Sequence, residues 1–173
     1  MRIIAGEWRG RRLVAPAGIA TRPTADRVRE ALFSMLVSRI GTFESLRIAD
    51  LFAGSGALGL EALSRGAAHC VFVDQDRTAV EAIRANLAAL GGSGDVLAGA
   101  AEHARIPGSI DLAFLDPPYG SGLAAATLAR LPLAVGALAS VETGRGEAAA
   151  ADGFEEEAVR IYGKARITLL RRL

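Results

Sequence analysis

Between residues 47 and 115, short apolar runs alternate with segments of helical period, and this alternation constrains the fold more than any other feature. Residues 47–52, 69–73, 96–98 and 110–115 read as strands, and residues 57–65 and 77–90 as helices. In the second helix Val80, Ile83, Leu87 and Leu90 share one face. Strands separated by helices cannot meet through tight hairpins. They form βαβ units on a parallel sheet covered on both faces. Right-handed crossovers then give a doubly wound α/β fold.

The flanks follow different rules. Residues 2–5 and 12–14 read as two short strands around the glycine-bounded turn from Gly6 to Gly10, and Pro16, Gly18 and Pro23 punctuate a loop after them. Thr24 is the predicted N-cap of a helix carrying Val28, Ala31, Leu32, Met35 and Leu36 on one stripe and ending near Gly41. Downstream, residues 123–131 read as a helix, 136–142 as a strand and 144–153 as a loop rich in alanine and glycine. Residues 155–162 and 165–170, joined by Gly163-Lys164, read as a closing antiparallel hairpin. The 173 residues contain no repeat and no long linker, so one domain with a small N-terminal extension is expected.

Composition narrows the class. No run of 18 or more apolar residues is present, so no membrane span is predicted, and no apolar leader opens the chain; the cytoplasm is the expected compartment. Cys70 is the single cysteine and lies in an apolar run, where it reads as a buried strand residue. The net charge of +1 conceals an uneven distribution. Residues 1–30 carry seven arginines against three acids, residues 160–173 carry five basic residues and no acid, and the middle is acidic. Basic ends suit a polyanionic partner, although a solvated surface would have the same composition. Arginine outnumbers lysine nineteen to one. This favours bidentate phosphate contacts, and a biased genome would produce the same excess.

Three groups of residues carry chemistry. Gly54, Gly56 and Gly59 satisfy G-x-G-x-x-G between a strand and a helix, where glycine lets the backbone turn sharply and a ligand approach. Asp74 ends the next strand, placed to accept the hydroxyls of a ribose. Together they point to an adenosine-containing cofactor. Asp50 precedes the turn, and a carboxylate there would repel the diphosphate of a dinucleotide but match the ammonium and sulfonium of S-adenosylmethionine. Its alternative role is to cap neighbouring backbone amides. Asp76 reads as the N-cap of the helix beginning at Arg77.

The third group is Asp116-Pro117-Pro118-Tyr119, at the end of the strand 110–115, where open α/β sheets place ligands. Two prolines make the backbone rigid and donate no amide hydrogen. Asp116 and the Pro117 carbonyl can accept the two hydrogens of an exocyclic amine, and Tyr119 offers a ring on which a base stacks. His69 and His103 lack partners at ligand spacing, so no metal is expected. Ser55 and Ser64 lack a nearby base, which leaves a nucleophilic hydrolase unsupported.

These motifs, with Arg2-Ile3-Ile4, Arg9-Gly10-Arg11, Arg22-Pro23-Thr24 and Asp26-Arg27-Val28-Arg29-Glu30 ahead of them, resemble the RsmD-type methyltransferases, which modify a guanine N2 in 16S ribosomal RNA. The resemblance covers residues 1–120 well and the remainder by pattern. It implies a class I methyltransferase of Rossmann-like fold, with a mostly parallel seven-stranded sheet, helices on both faces and an N-terminal β-hairpin. Residues 1–23 would form the RNA-contacting extension and 24–173 the methyltransferase domain. It also implies that Asp50, Phe52, Ala53, Gly54, Ser55 and Gly56 hold the methionine end of S-adenosylmethionine, and that Asp74 holds its ribose. Asp116, Pro117 and Tyr119 would then hold the guanine, and Arg9, Arg11, Arg12, Arg22 and Arg27 the RNA phosphates. The implied partner is 16S rRNA in a small-subunit assembly particle, met by a monomer. One departure stands out: Ala100-Ala101 replaces the Asp or Asn that such enzymes use to read adenine, leaving a backbone amide or Glu102 for that role. Three other readings remain: adenine-N6 methylation of DNA, a nicotinamide-dependent oxidoreductase built on the three glycines, and a non-catalytic RNA-binding protein.

Overall fold

The computed structural model describes residues 1–16 and 23–173. Helix α1 spans Pro23–Ile40, followed by β1 Arg47–Leu51, α2 Ala57–Ser64, β2 His69–Asp74, α3 Arg77–Leu90 and β3 Asp95–Ala98. A single 3-10 turn, Ala101–His103, precedes β4 Ile110–Leu115, α4 Leu123–Leu128, β5 Leu133–Gly144, β6 Phe154–Tyr162 and β7 Ala165–Arg172. The strands form one seven-stranded sheet in the order β3-β2-β1-β4-β5-β7-β6. The first five of these pair in parallel, and β7 lies antiparallel to both β5 and β6. The Rossmann-like, mostly parallel sheet expected from the sequence is the one observed.

Period-two alternation divides the core. Ile48, Cys70, Phe72, Leu112 and Phe114 point to one face, where they meet residues of α1, α2 and α3. Ala49, Leu51, Val71, Val73, Ala113 and Leu115 point to the other, against the 3-10 turn and α4. Strands buried on both faces read as continuous apolar runs for this reason. Phe33 of α1 is fully buried and lies 5.6 Å from the Phe114 ring of β4, centroid to centroid, which fastens the first helix to the sheet. Cys70 is buried as expected, and burial pushes its thiol well up, away from reactivity.

Some boundaries differ from the sequence reading. Helix α1 begins at Pro23 rather than after Thr24, since a proline at the first helical position gives up an amide that has no partner there anyway. Helix α4 stops at Leu128, and β5 extends to Leu133–Gly144 because both its neighbours supply partners. The two N-terminal strands reduce to one antiparallel bridge, Arg2 with Arg12. Around it Ile3 donates to the Arg11 carbonyl, Gly10 to the Ile3 carbonyl and Leu13 to the Met1 carbonyl, while other amides turn to α2. Ile4 and Ala5 donate to the Glu61 carboxylate of α2 at 2.7 and 3.0 Å, Glu7 donates to the Ser64 carbonyl at 2.7 Å, and Trp8 to the Ser64 hydroxyl at 2.9 Å. Ile3 and Leu13 drop into the main core beside α1 and α2. The hairpin is thus held both by its own short ladder and by acceptors on α2.

Glu61 is wholly buried and also accepts from Arg65 Nε at 2.8 Å. Removing one member of a buried charge network leaves its partners uncompensated. Glu61→Ala should therefore cost roughly 3–5 kcal/mol in urea denaturation. The same variant should make the 1–16 segment sensitive to trypsin at low protease; wild-type resistance there would mean the carboxylate does not hold the hairpin.

Candidate active site

The chain leaves β1 for β2 on one side while β4 lies on the other, so the sheet order reverses at the β1–β4 boundary. Helical connections diverge there and leave a crevice at the carboxyl ends of the strands. Three aspartates stand at those ends: Asp50 in β1, Asp74 at the end of β2 and Asp116 just after β4.

Two of them hold the glycine turn. Asp74 Oδ2 accepts the Gly54 amide at 2.8 Å, and its Oδ1 accepts the Asp76 amide at 2.8 Å. Asp50 Oδ2 accepts the Gly59 amide at 2.8 Å, in the first turn of α2. Gly56 takes a left-handed conformation (φ 75°) where the turn enters the helix. Gly59 is constrained by space: a Cβ there would stand 2.4 Å from Phe72 Cε1 and 2.6 Å from Cys70 Sγ. Phe52 also has a positive φ, 60°, which is costly for an aromatic residue and concentrates strain beside the crevice. Asp76 caps α3 through Thr78, as its position predicted.

The crevice is a cleft of about 470 Å³, within the range of small-molecule sites. The turn supplies Phe52 and Gly54, the end of β2 Asp74 and Gln75, and the 3-10 turn Ala101 and Glu102. Asp116, Pro117, Pro118 and Tyr119 form the opposite wall, completed by Leu123 and Glu142. Of the predicted site residues, Phe52, Gly54, Asp74, Asp116, Pro117 and Tyr119 therefore meet in one cavity. Asp50, Ala53, Ser55 and Gly56 are not among the residues that line it. Asp50 is 2% exposed and is engaged with a backbone amide, the alternative role the sequence left open. Sequence reasoning passed over Gln75, Leu123 and Glu142. The signal for Glu142 was its place at the end of a predicted strand of the same sheet.

The electrostatics are one-sided. The ionisable groups lining the cleft are Asp74, Glu102, Asp116, Glu142 and Tyr119, and none of the lining residues described is basic. Burial, together with the charges of Asp116 and Asp74, pushes the Asp50 carboxyl up to about 8 despite the hydrogen bond from Gly59. Enclosure by protein atoms and the nearby Glu142 push Asp116 up to about 7, while water reaching it through the open cleft works against the first of these. The Tyr119 hydroxyl donates to Glu142 Oε1 at 2.7 Å. Burial, that hydrogen bond and the surrounding carboxylates drive the phenol pKa upward, so Tyr119 stays a neutral donor.

The N-terminal segment is tied to the glycine turn through Asn86 of α3, which is almost fully buried. Its carbonyl accepts the Val14 amide at 2.8 Å, and its amide nitrogen donates to Val14 O at 2.9 Å and Ser55 O at 3.0 Å. One side chain thereby couples the return arm of the hairpin to the glycine turn. Arg9, Arg11, Arg12 and Arg27 are exposed, with Arg11 anchored on the Ala89 carbonyl. Arg22 lies outside the described residues. At the other terminus, Arg166 and Arg171 pair with Glu156 and Glu157 of the adjacent strand, and Arg172 lies over the Phe154 ring. The basic C-terminal stretch is thus partly neutralised by β6.

Residues 1–171 match the family described as conserved hypothetical protein 95. YlbH of Bacillus subtilis is 46% identical over 127 residues, 69% of this chain and 67% of its own length. Ribosomal RNA small subunit methyltransferase D of Escherichia coli is 44% identical over 131 residues, 74% of this chain and 65% of its own. The chain thus spans about two thirds of the length of these relatives. Among solved structures, yhhF from Escherichia coli superposes with a TM-score of 0.85 at 36% identity, over 99% of this chain and 97% of that one.

The raised Asp50 pKa makes a stability prediction. A carboxyl that holds its proton more tightly when folded favours the folded state most at low pH. That contribution is lost as pH rises from the ordinary value of 3.8 through about 8. Asp50→Asn keeps an acceptor for Gly59 and removes the buried charge. Its melting temperature should overtake that of the wild type as pH rises from 4 to 8, measured without ligand. A gap independent of pH would mean Asp50 is not the group responsible.

Proposed function

The chain belongs to the conserved hypothetical protein 95 family, that of the RsmD-type methyltransferases, and we propose that it methylates the exocyclic N2 of a guanine in small-subunit ribosomal RNA. The observation that carries this reading is a single cleft joining Asp74 to the Asp116–Tyr119 wall, with no basic side chain among its described lining residues. A diphosphate-bearing dinucleotide would find no counter-charge there. A cofactor with an ammonium and a sulfonium finds several.

S-adenosylmethionine, when bound, supplies a methyl group on a positively charged sulfur. Asp74 is oriented by the Gly54 and Asp76 amides and keeps lone pairs for ribose hydroxyls. Asp50 is the buried carboxyl whose ionised form an ammonium would favour, although Gly59 holds one of its oxygens. With Ala101 and Glu102 on the wall, Glu102 is the side chain placed to meet the adenine amine. Asp116 and the Pro117 carbonyl accept the two hydrogens of the guanine amine, whose lone pair is otherwise delocalised into the ring. Fixing them favours a more pyramidal nitrogen aligned with the methyl group. When the methyl group leaves sulfur for nitrogen, with the neutral thioether as leaving group, Asp116 would take the proton that N2 gives up. Tyr119 is half exposed and provides the surface on which the extruded base stacks.

The segment 1–23 is the RNA-contacting extension and 24–173 the catalytic domain. Arg9, Arg11, Arg12, Arg22 and Arg27 hold phosphates, and the Asn86 link ties the arm that carries Arg11 and Arg12 to the glycine turn. The substrate is a small-subunit assembly particle, and the enzyme works on it as a cytoplasmic monomer.

Mass spectrometry of 16S rRNA from cells with and without the gene tests the substrate: loss of one N2-methylguanine is expected, and an unchanged rRNA would sink the assignment. Asp116→Ala should lower kcat more than a thousandfold while shifting the Kd for S-adenosylhomocysteine less than threefold. Because Asp116 must be ionised to accept the amine hydrogens and its pKa is raised to about 7, kcat/KM should fall toward tenfold per pH unit below neutrality. A profile flat between pH 5.5 and 8 would remove Asp116 from that role.

A further inference from the structure

Glu142 is the cleft carboxylate to which no motif assigns a role. It lies near the end of β5, paired through its backbone with Ile167 of β7, so its position is set by the sheet. Its Oε1 accepts the Tyr119 hydroxyl at 2.7 Å, and among the described residues no protein donor reaches its Oε2. It shares the cleft wall with Asp116 and Pro117. Its charge is among those that raise Asp116. The other nearby carboxylate, Glu147, is turned away to the Gly144 amide at 3.3 Å. A carboxylate held on one oxygen by a stacking residue, with the other oxygen free, is a fixed acceptor beside the position of the reacting amine.

Guanine presents two adjacent donor groups on this edge, N1–H and the N2 amine, whereas adenine and 2-aminopurine present an acceptor at N1. We propose that Glu142 Oε2 accepts the N1–H of the target base, so that Asp116 selects the amine and Glu142 selects guanine. The inference rests on the guanine-N2 reading above. It also explains why a wall of acceptors suits this base: every hydrogen on the guanine Watson–Crick edge meets an oxygen, whereas an N1 lone pair would face a carboxylate. The phenol of Tyr119 then has two uses. Its ring carries the base, and its hydroxyl keeps the reading oxygen in place.

Glu142→Gln separates this role from simple support of Tyr119. The glutamine oxygen still accepts the tyrosine hydroxyl, but the free end becomes an NH₂ donor facing N1–H. The assay is methyl transfer by the full chain to small-subunit particles reconstituted with 16S rRNA carrying either guanine or 2-aminopurine at the target position found by mass spectrometry. The wild type should prefer guanine by on the order of 10- to 100-fold in kcat/KM, the discrimination of a well-placed polar pair. Glu142→Gln should lose on the order of 10- to 100-fold on guanine and bring the guanine to 2-aminopurine ratio to within about threefold of unity. An unchanged ratio in the variant would overturn the proposal, as would a wild type indifferent to the two bases. Absence of N2-methylguanine from the wild-type reaction would instead overturn the guanine reading itself.

Discussion

The site depends on two carboxylates that close over the glycine turn. Asp74 reaches from β2 to the Gly54 amide, and Asp50 reaches from β1 to the Gly59 amide, so neighbouring parallel strands grip both ends of one loop. That loop carries Phe52 in a left-handed conformation and packs Gly59 against Phe72 and Cys70, where no side chain has room. Each constraint presupposes the others. A turn this tight needs the strand register to aim the carboxylates, and the strands need the close approach of α2 to bury their upper face.

Those carboxylates also create an electrostatic problem that a ligand can relieve. Asp50, Asp74 and Asp116 converge at the strand ends, Glu102 and Glu142 add to the cleft walls, and Asp50 and Asp116 are both raised, by enclosure and by neighbouring carboxylates. An apoprotein holding that much negative potential in a partly dry crevice is poised for a cation. Binding one exchanges repulsion among carboxylates for attraction, and makes ionisation of Asp50 and Asp116 easier. In the proposed reading, substrate acceptors and cofactor counter-charges are drawn from one set of residues.

The N-terminal hairpin is the second dependency. Besides a short ladder of its own, it lodges the Ile4, Ala5, Glu7, Trp8 and Val14 amides on Glu61, Ser64 and Asn86. Since Asn86 also holds the Ser55 carbonyl, the arginine-bearing arm is tied to the same turn that the aspartates grip. A segment that looks like an appendage is structurally continuous with the cleft, which suits an element that positions a large polyanion against a small pocket.

Periodicity was sufficient for the sheet. α3 and β4 appear with the boundaries the sequence suggests, and β1, β2 and the closing hairpin differ only at their ends, because apolar patterning is a local property that burial enforces directly. The Asp116–Tyr119 motif and Asp74 were legible for a similar reason: both sit where any doubly wound sheet places its ligands. The parts that needed tertiary structure share a different property. Glu61, Asn86 and Glu142 make their contacts with residues 57, 72 and 23 positions away, and nothing in their immediate neighbours announces those partners. Glu61 carried no reading of its own in the sequence, and the docked hairpin makes it a buried acceptor. The sequence by itself determined the sheet, the acidic strand ends and the class of chemistry. The three-dimensional arrangement decided that Asp50 faces an amide, that the C-terminal arginines are partly neutralised by β6, and that Glu142 stands beside Asp116, because each of these depends on which distant charges folding brings together.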